Sequence, residues 1–184
     1  MSNKLTNLTS CQTAVISGAE FSECGKYRYS LTIIWDNNKP QVMFVMLNPS
    51  TVKDDPTIRR CIRFAKSWGY GGLNVVNLFA YRTDNLNQLL SADDPVGNLT
   101  DQEASFRFMS DLSEIVVCAW GNNRIAFCHV FNILRKKGYN PIEWIDKPLY
   151  CLKTTKWQMC SHPLYLNKCL KPVPYKVPKW FIKH

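Results

Sequence analysis

The sequence predicts an α/β fold: a three-layer sandwich with a mostly parallel central sheet flanked by helices. Three observations carry this. Short apolar runs rich in β-formers alternate with helical patterns four times along the chain. The runs are apolar throughout rather than at every second residue, which marks strands buried on both faces, as parallel strands are. No repeat, low-complexity stretch or linker divides the 184 residues, so 1–184 reads as a single domain.

In chain order, residues 1–24 read as a loosely structured N-terminal segment. Tyr27 to Trp35 alternates, with Tyr27, Tyr29, Leu31 and Ile33 on one face, and Asp36-Asn37-Asn38-Lys39-Pro40 is a turn. Together they predict a hairpin feeding the central strand, Val42 to Leu47. That strand stops at Asn48-Pro49, because Pro49 cannot donate to a ladder and drives Asn48 toward an extended conformation. The Asn48 amide is thereby left at the carboxyl end of a buried strand, where ligands bind in open α/β sheets.

A helix follows, with Asp55 as N-cap and Pro56 in its first position; Ile58, Cys61, Ile62, Ala65 and Trp68 recur at helical spacing. Arg59, Arg60, Arg63 and Lys66 fall off that stripe, as a solvated face or a binding face. Asp54 has no capping duty, and a second carboxylate beside a strand-end amide is either a turn residue or a site group. Gly69-Tyr70-Gly71-Gly72 ends the helix, and Leu73 to Val76 is a second buried strand finishing on Asn77.

Asp84 to Leu90 predicts a short capped helix. Thr100-Asp101-Gln102-Glu103 reads as a capping box opening a helix to about Leu112, with Ala104, Phe108 and Leu112 on its apolar stripe. Ile115 to Ala119 is a third strand, ending in Trp120-Gly121-Asn122-Asn123. Ile125, Cys128, Phe131 and Leu134 mark a further helix, closed by Lys136, Lys137 and Gly138. Strands at Ile142 to Ile145 and around Tyr150 to Leu152 complete the set. Residues 171–184 form a basic tail whose Tyr175, Trp180 and Phe181 predict packing.

The formal charge of +9 is unevenly placed. Residues 1–120 hold 11 Lys/Arg against 12 Asp/Glu, whereas 121–184 hold 12 against 2. A last third at +10 beside a remainder at −1 points to a polyanion-binding face, nucleic acid before membrane, since no basic amphipathic helix with a large apolar face stands out. No apolar run approaches membrane-spanning length and Met1 to Ser10 is polar, so a soluble, cytoplasmic protein is expected. The eight cysteines contain no C-x-x-C pair and read as mostly buried thiols, with no metal site and no cofactor expected. Nothing calls for an obligate protein partner.

Strand ends thus carry Asn48, Asn77 and Trp120-Gly121, and Ser161-His162-Pro163-Leu164-Tyr165-Leu166 lies in the basic third. Strand-Asn48-Pro49-Ser50 resembles the first motif of the uracil-DNA glycosylase superfamily. Val76-Asn77 is similar to its base-pairing strand end, Trp120-Gly121 to its Trp-Gly strand end, and His162-Pro163-Leu164-Tyr165-Leu166 to its His-Pro-Ser-Pro-Leu loop. The set MLNPS, DDPTIRRC, WGYGG and HPLYL resembles more closely a bacterial and phage family of unknown function.

The resemblance implies a DNA glycosylase without a cofactor, which flips a nucleotide and hydrolyses its N-glycosidic bond. It implies that His162 stabilises the departing base, that Asn77 reads its Watson–Crick edge, and that Leu166 with Tyr165 wedges into the stack. The superfamily activates water best with a carboxylate where this chain has Asn48, which can orient a water but cannot take its proton. Asp54 is the candidate for the missing carboxylate, so the expected catalytic set is Asn48, Asp54 and His162. Ser50 stands where the uracil-specific branch places a tyrosine that blocks carbon 5 of the pyrimidine. A 5-substituted pyrimidine is therefore expected, such as a hypermodified base of phage DNA, which would make the protein a defence enzyme. Arg59, Arg60, Asn122, Lys156 and Lys168 are the expected further DNA contacts. A uracil-repair glycosylase, a catalytically silent nucleic-acid reader and a hydrolase of free nucleosides or nucleotides stay open as alternatives.

Overall fold

Seven strands form one sheet in the computed structural model, which describes residues 16–52, 54–122 and 138–178. They are β1 (Ile16–Phe21), β2 (Arg28–Ile34), β3 (Gln41–Met46), β4 (Gly72–Asn77), β5 (Ser113–Cys118), β6 (Leu149–Cys151) and β7 (Val173–Pro174), in the spatial order β1-β2-β4-β3-β5-β6-β7. The inner set β4-β3-β5-β6 is parallel. Helix α1 (Pro56–Ser67) joins β3 to β4; α2 (Leu86–Ser91) and α3 (Leu99–Leu112) join β4 to β5.

The strands of the inner set carry apolar residues on both faces because both faces are covered. Val42, Phe44 and Met46 of β3 face one core with Leu73 and Val75 of β4 and with Ile58, Cys61, Phe64 and Ala65 of α1. Met43 and Val45 face the other with Val76, Val116, Cys118 and with Phe106 and Met109 of α3. Truncating Phe64, only 1% exposed, to alanine would cost about 3–5 kcal/mol. The chain leaves β3 toward β4 on one side and returns to β5 on the other, so the carboxyl end of β3 lies at a topological switch point.

Several sequence expectations are corrected. The sheet is not mostly parallel, since three of its six pairings, β1/β2, β2/β4 and β6/β7, are antiparallel. β2 does not form a hairpin with β3; it pairs with β4, which inserts between them. The turn after β2 instead wraps the start of β4: the amides of Trp35 and Asp36 donate to Gly71 O at 2.9 and 3.0 Å, and the Gly71 amide donates to Pro40 O at 2.8 Å. A Cβ on Gly71 would strike the Asp36 carbonyl, so the position needs glycine. Part of the N-terminal segment is ordered as β1, whose polar and small residues conceal it from a hydrophobicity pattern. Residues 142–144 lie in a 3₁₀ turn, Pro141–Trp144, with Ile145 as its C-cap, and the fourth parallel strand is β6.

α3 is capped by Asn98, whose side chain accepts from the Thr100 and Asp101 amides, and not by a Thr100 box. Its buried face is Gln102, Ser105, Phe106, Met109 and Ser110, while Phe108 and Leu112 are exposed. Lys147 Nζ reaches the end of the helix and donates to Ser110 O, which also accepts from the Ser113 amide, and to Ser113 O, both at 2.6 Å. In the tail Tyr175 is buried, meets Trp120 edge to face, and donates to Gln158 O at 3.1 Å. The helix expected at 125–134, Asn123, and Trp180 and Phe181 lie outside the described residues. Among the described residues no helix is long and apolar enough to cross a membrane.

Candidate functional site

Two buried asparagines on β4 show where the sheet is closed and where it is open. Asn74, at the amino end of the strand, is fully paired: its Oδ1 accepts from Thr32 Oγ1 at 2.9 Å, and its Nδ2 donates to Gln41 Oε1 at 2.9 Å and Ser113 Oγ at 3.0 Å. Asn77, at the carboxyl end and 1% exposed, has a buried Nδ2 with no partner among the described residues. Orphaned buried donors are rare and costly, and here the residue that carries the donor lines a cavity of about 280 Å³.

Asn48, Asp55, Trp120, His162 and Arg28 line the same cavity, beside the carboxyl ends of β3 and β4. Asn48 donates from Nδ2 to Thr83 O at 2.7 Å and to Pro49 O at 3.3 Å, which leaves Oδ1 as its free acceptor. His162 precedes a 3₁₀ turn, Pro163–Tyr165, and its Nδ1 accepts from the Leu164 amide at 3.4 Å. That bond assigns the ring proton to Nε2, so a neutral His162 retains a donor. Burial lowers the pKa of His162, against an upward pull from the Asp55 charge. Gly121, at φ +88°, packs close to His162, since a Cβ there would come within 3.3 Å of His162 Cβ.

Asp55 does cap α1, with Oδ1 accepting from the Thr57 amide at 2.7 Å, and its other oxygen has no partner among the described residues. It is the carboxylate of the cavity together with Asp84. Asp54 is not: it is exposed, lies outside the cavity, and pairs with Arg59 at 2.6 Å. Ser50 and Thr51 are held by Asp84, whose carboxylate accepts from both hydroxyls; those bonds lower the Asp84 pKa. The Ser50 hydroxyl also accepts from the Val52 amide at 2.9 Å, so it is engaged within its own loop rather than offered to the cavity.

Arg28, on β2, had no signal in the sequence, where it is one cation among many. Its guanidinium has no acceptor among the described residues and its Nε is buried. Burial brings its pKa down to about 10, with Asp55 pulling up and Arg82 pushing down. Arg28, Ser50, Val52, Asp55 and Ile58 also line a second groove of about 440 Å³, which extends past Phe21, Asp54, Arg59 and Arg82. Arg82 donates from Nη1 to Gly25 O at 2.8 Å and lies over the Phe21 ring at 4.9 Å, yet its Nε is buried without a partner.

A family model described as "Protein of unknown function (DUF1643)" matches residues 28–164. The chain belongs to that family. No curated protein matches it. Among solved structures, the hetero-hexameric glutamate dehydrogenase from Thermus thermophilus, in its Leu-bound form, is similar over 70% of this chain and 32% of that one. At 14% identity and a TM-score of 0.28 that likeness carries no argument. The segment shared with DUF1643 runs from Arg28 to beyond His162 and so contains every cavity-lining residue.

Around this DUF1643 cavity the remaining expected contacts are dispersed. Arg60 donates from Nη2 to Leu166 O, tying α1 to the His162 loop, and its guanidinium lies 4.8 Å from the Phe64 ring centroid. With Arg63, Lys168 and Lys171 it lines a basic hollow of about 500 Å³. Tyr165 is 90% exposed at the loop tip. Leu166, expected to wedge, is instead partly buried against the α1 core. Asn122 and Lys156 are exposed, the latter 5.2 Å from the Trp157 ring.

Proposed function

We propose that this protein is a DNA glycosylase that hydrolyses the N-glycosidic bond of a flipped, 5-substituted pyrimidine. The observation that carries the reading is the unpartnered Asn77 amide in one cavity with the Asn48 acceptor and the His162 Nε2–H donor. Donors and acceptors prearranged in a buried site are what a base edge and a departing base need. The helices on the two faces of the sheet support a three-layer sandwich of the uracil-DNA glycosylase kind.

In this reading the base enters beside Asn77, which pairs with its edge. Asn48 Oδ1 orients a water toward the sugar carbon, and Asp55, rather than Asp54, takes the water's proton as the C–N bond breaks. The negative carboxylate also stabilises an oxocarbenium-like sugar. His162 donates from Nε2 to the base oxygen on which charge develops. Tyr165 replaces Leu166 as the side chain placed to enter the stack, and Arg60, Arg63 and Lys168 lie within reach of the strand's phosphates.

Base selection is steric in this account. The Ser50 hydroxyl is committed to Asp84, so the residue contributes space rather than a hydrogen bond. The test compares release of free base from DNA containing plain uracil and from hypermodified phage DNA, by wild type and Ser50→Tyr. Release from the modified DNA that Ser50→Tyr abolishes is expected, which would fit a role in antiviral defence. Strong activity on uracil alone would return the protein to ordinary repair, and release from neither would defeat the glycosylase reading.

A further inference from the structure

We infer that Arg28 and Arg82 form a phosphate-binding subsite where the second groove meets the cavity, so that the two together hold a nucleotide: base in the cavity, phosphate in the groove. The inference deepens the glycosylase reading and rests on it only for the nature of the base-bearing ligand. Arg28 stands on the wall common to both spaces, and Arg82 lines the groove alone. Both line the groove, and the Arg82 charge is near enough to lower the pKa of Arg28.

Among the described residues neither arginine takes part in an ion pair, although other pairs form nearby, as Arg59 with Asp54 does. Asp55 attracts Arg28 without pairing with it. Both Nε atoms are buried without acceptors. A buried guanidinium Nε without an acceptor and a second like charge beside it are each unfavourable in the empty protein. An anion with several oxygens placed between them reverses both, and arginine's planar fork suits phosphate. The rest of the groove excludes a bare ion as its natural occupant, because Phe21, Leu31, Ile33 and Ile62 give it an apolar side that a sugar or a neighbouring base would cover.

The test titrates the full chain with inorganic phosphate, with deoxyuridine and deoxycytidine, and with their 5′-monophosphates, followed by tryptophan fluorescence. Wild type, Arg28→Gln and Arg82→Gln are compared. Wild type should bind at least one monophosphate about tenfold or more tighter than its nucleoside, with inorganic phosphate competing, and each variant should lose that preference. Arg28→Gln removes a guanidinium without an acceptor among the described residues, so its melting temperature should not fall, whereas Arg82→Gln also gives up the bond to Gly25 O and should leave nucleoside affinity unchanged.

A preference that survives in both variants, or no phosphate-dependent binding to wild type, would overturn the inference. An oligonucleotide carrying a tetrahydrofuran abasic analogue separates the sources. If Arg28→Gln weakens that oligonucleotide the phosphate is a backbone diester, and if it weakens only the free monophosphate the ligand is a free nucleotide; either supports the subsite. Base release is scored independently. Phosphate-dependent binding without base release from any DNA would sink the glycosylase reading and leave the subsite standing; base release without phosphate dependence would do the reverse.

Discussion

Replacing Asn77 with leucine should make the protein more stable and less active. The Asn77 side chain makes no hydrogen bond among the described residues, and its Nδ2 is buried at a residue only 1% exposed. Such an orphaned donor costs about 1–3 kcal/mol, and leucine keeps the branch at Cγ without the polar atoms. Stability should therefore rise by about 1–3 kcal/mol, which for a chain of this length is about 2–12 °C in melting temperature. Base release should fall about tenfold to a hundredfold in kcat/KM, since the edge-reading hydrogen bond is lost. Calorimetry and a product assay on the same preparations check both. Asn74→Leu is the control: it strands Thr32, Gln41 and Ser113 and should cost about 3 kcal/mol or more. A lower melting temperature for Asn77→Leu with base release retained would refute the reasoning, for the amide would then be a packing group like Asn74.

Asp55→Asn keeps a competent N-cap and should lose base release at little cost in stability, whereas Asp54→Asn should retain activity, because its exposed pair with Arg59 contributes only about 0–1 kcal/mol; equal effects in the two variants would remove Asp55 from the mechanism. Tyr165→Ala should leave the melting temperature unchanged, since the side chain is 90% exposed, while weakening binding to DNA measured by anisotropy; a large drop in stability would place the ring in the fold instead. His162 binds protons more weakly folded than unfolded, so the unfolded chain holds more protons between the two pKa values and stability falls as pH drops from about 6.5 toward the lowered folded value. His162→Gln should flatten that acid limb in denaturant titrations, and an unchanged limb would assign it to other groups.

The inner strands were legible because burial on both faces leaves an unbroken apolar run, and α1 because Asp55 and Pro56 announce its start. Strand ends led to the cavity: Asn48, Asn77 and His162, 114 positions apart from first to last, line one space. What the sequence hid were pairings and directions. β2 reads as a hairpin partner of β3 because a short turn joins them, and nothing local reveals that β4 will insert. Phe108 and Leu112 recur at four like core residues, yet the α3 face that packs carries Gln102 and Ser105, whose polar atoms a periodicity treats as outward. Between two adjacent aspartates, Asp55 seemed spent on its cap, and only the fold shows that one oxygen caps while the other is left to the cavity. Arg28 was invisible because a cation declares itself by lacking a partner, which a sequence does not record.

The insertion of β4 between β2 and β3 also sets an order of assembly. β1 and β2 can pair as soon as both exist, but the inner edge of β2 stays open until residues 72–77 arrive. β3 has no neighbour at all until then, and its other partner, β5, begins only at Ser113. A chain emerging from its N-terminus therefore holds the most apolar strand unpaired while α1 and its crossover are completed. Open edges of this kind pair readily with other chains, so the risk of self-association during refolding falls on β3 and β2 before β4 docks. In the finished sheet both strands are flanked on each side, and that exposure is gone.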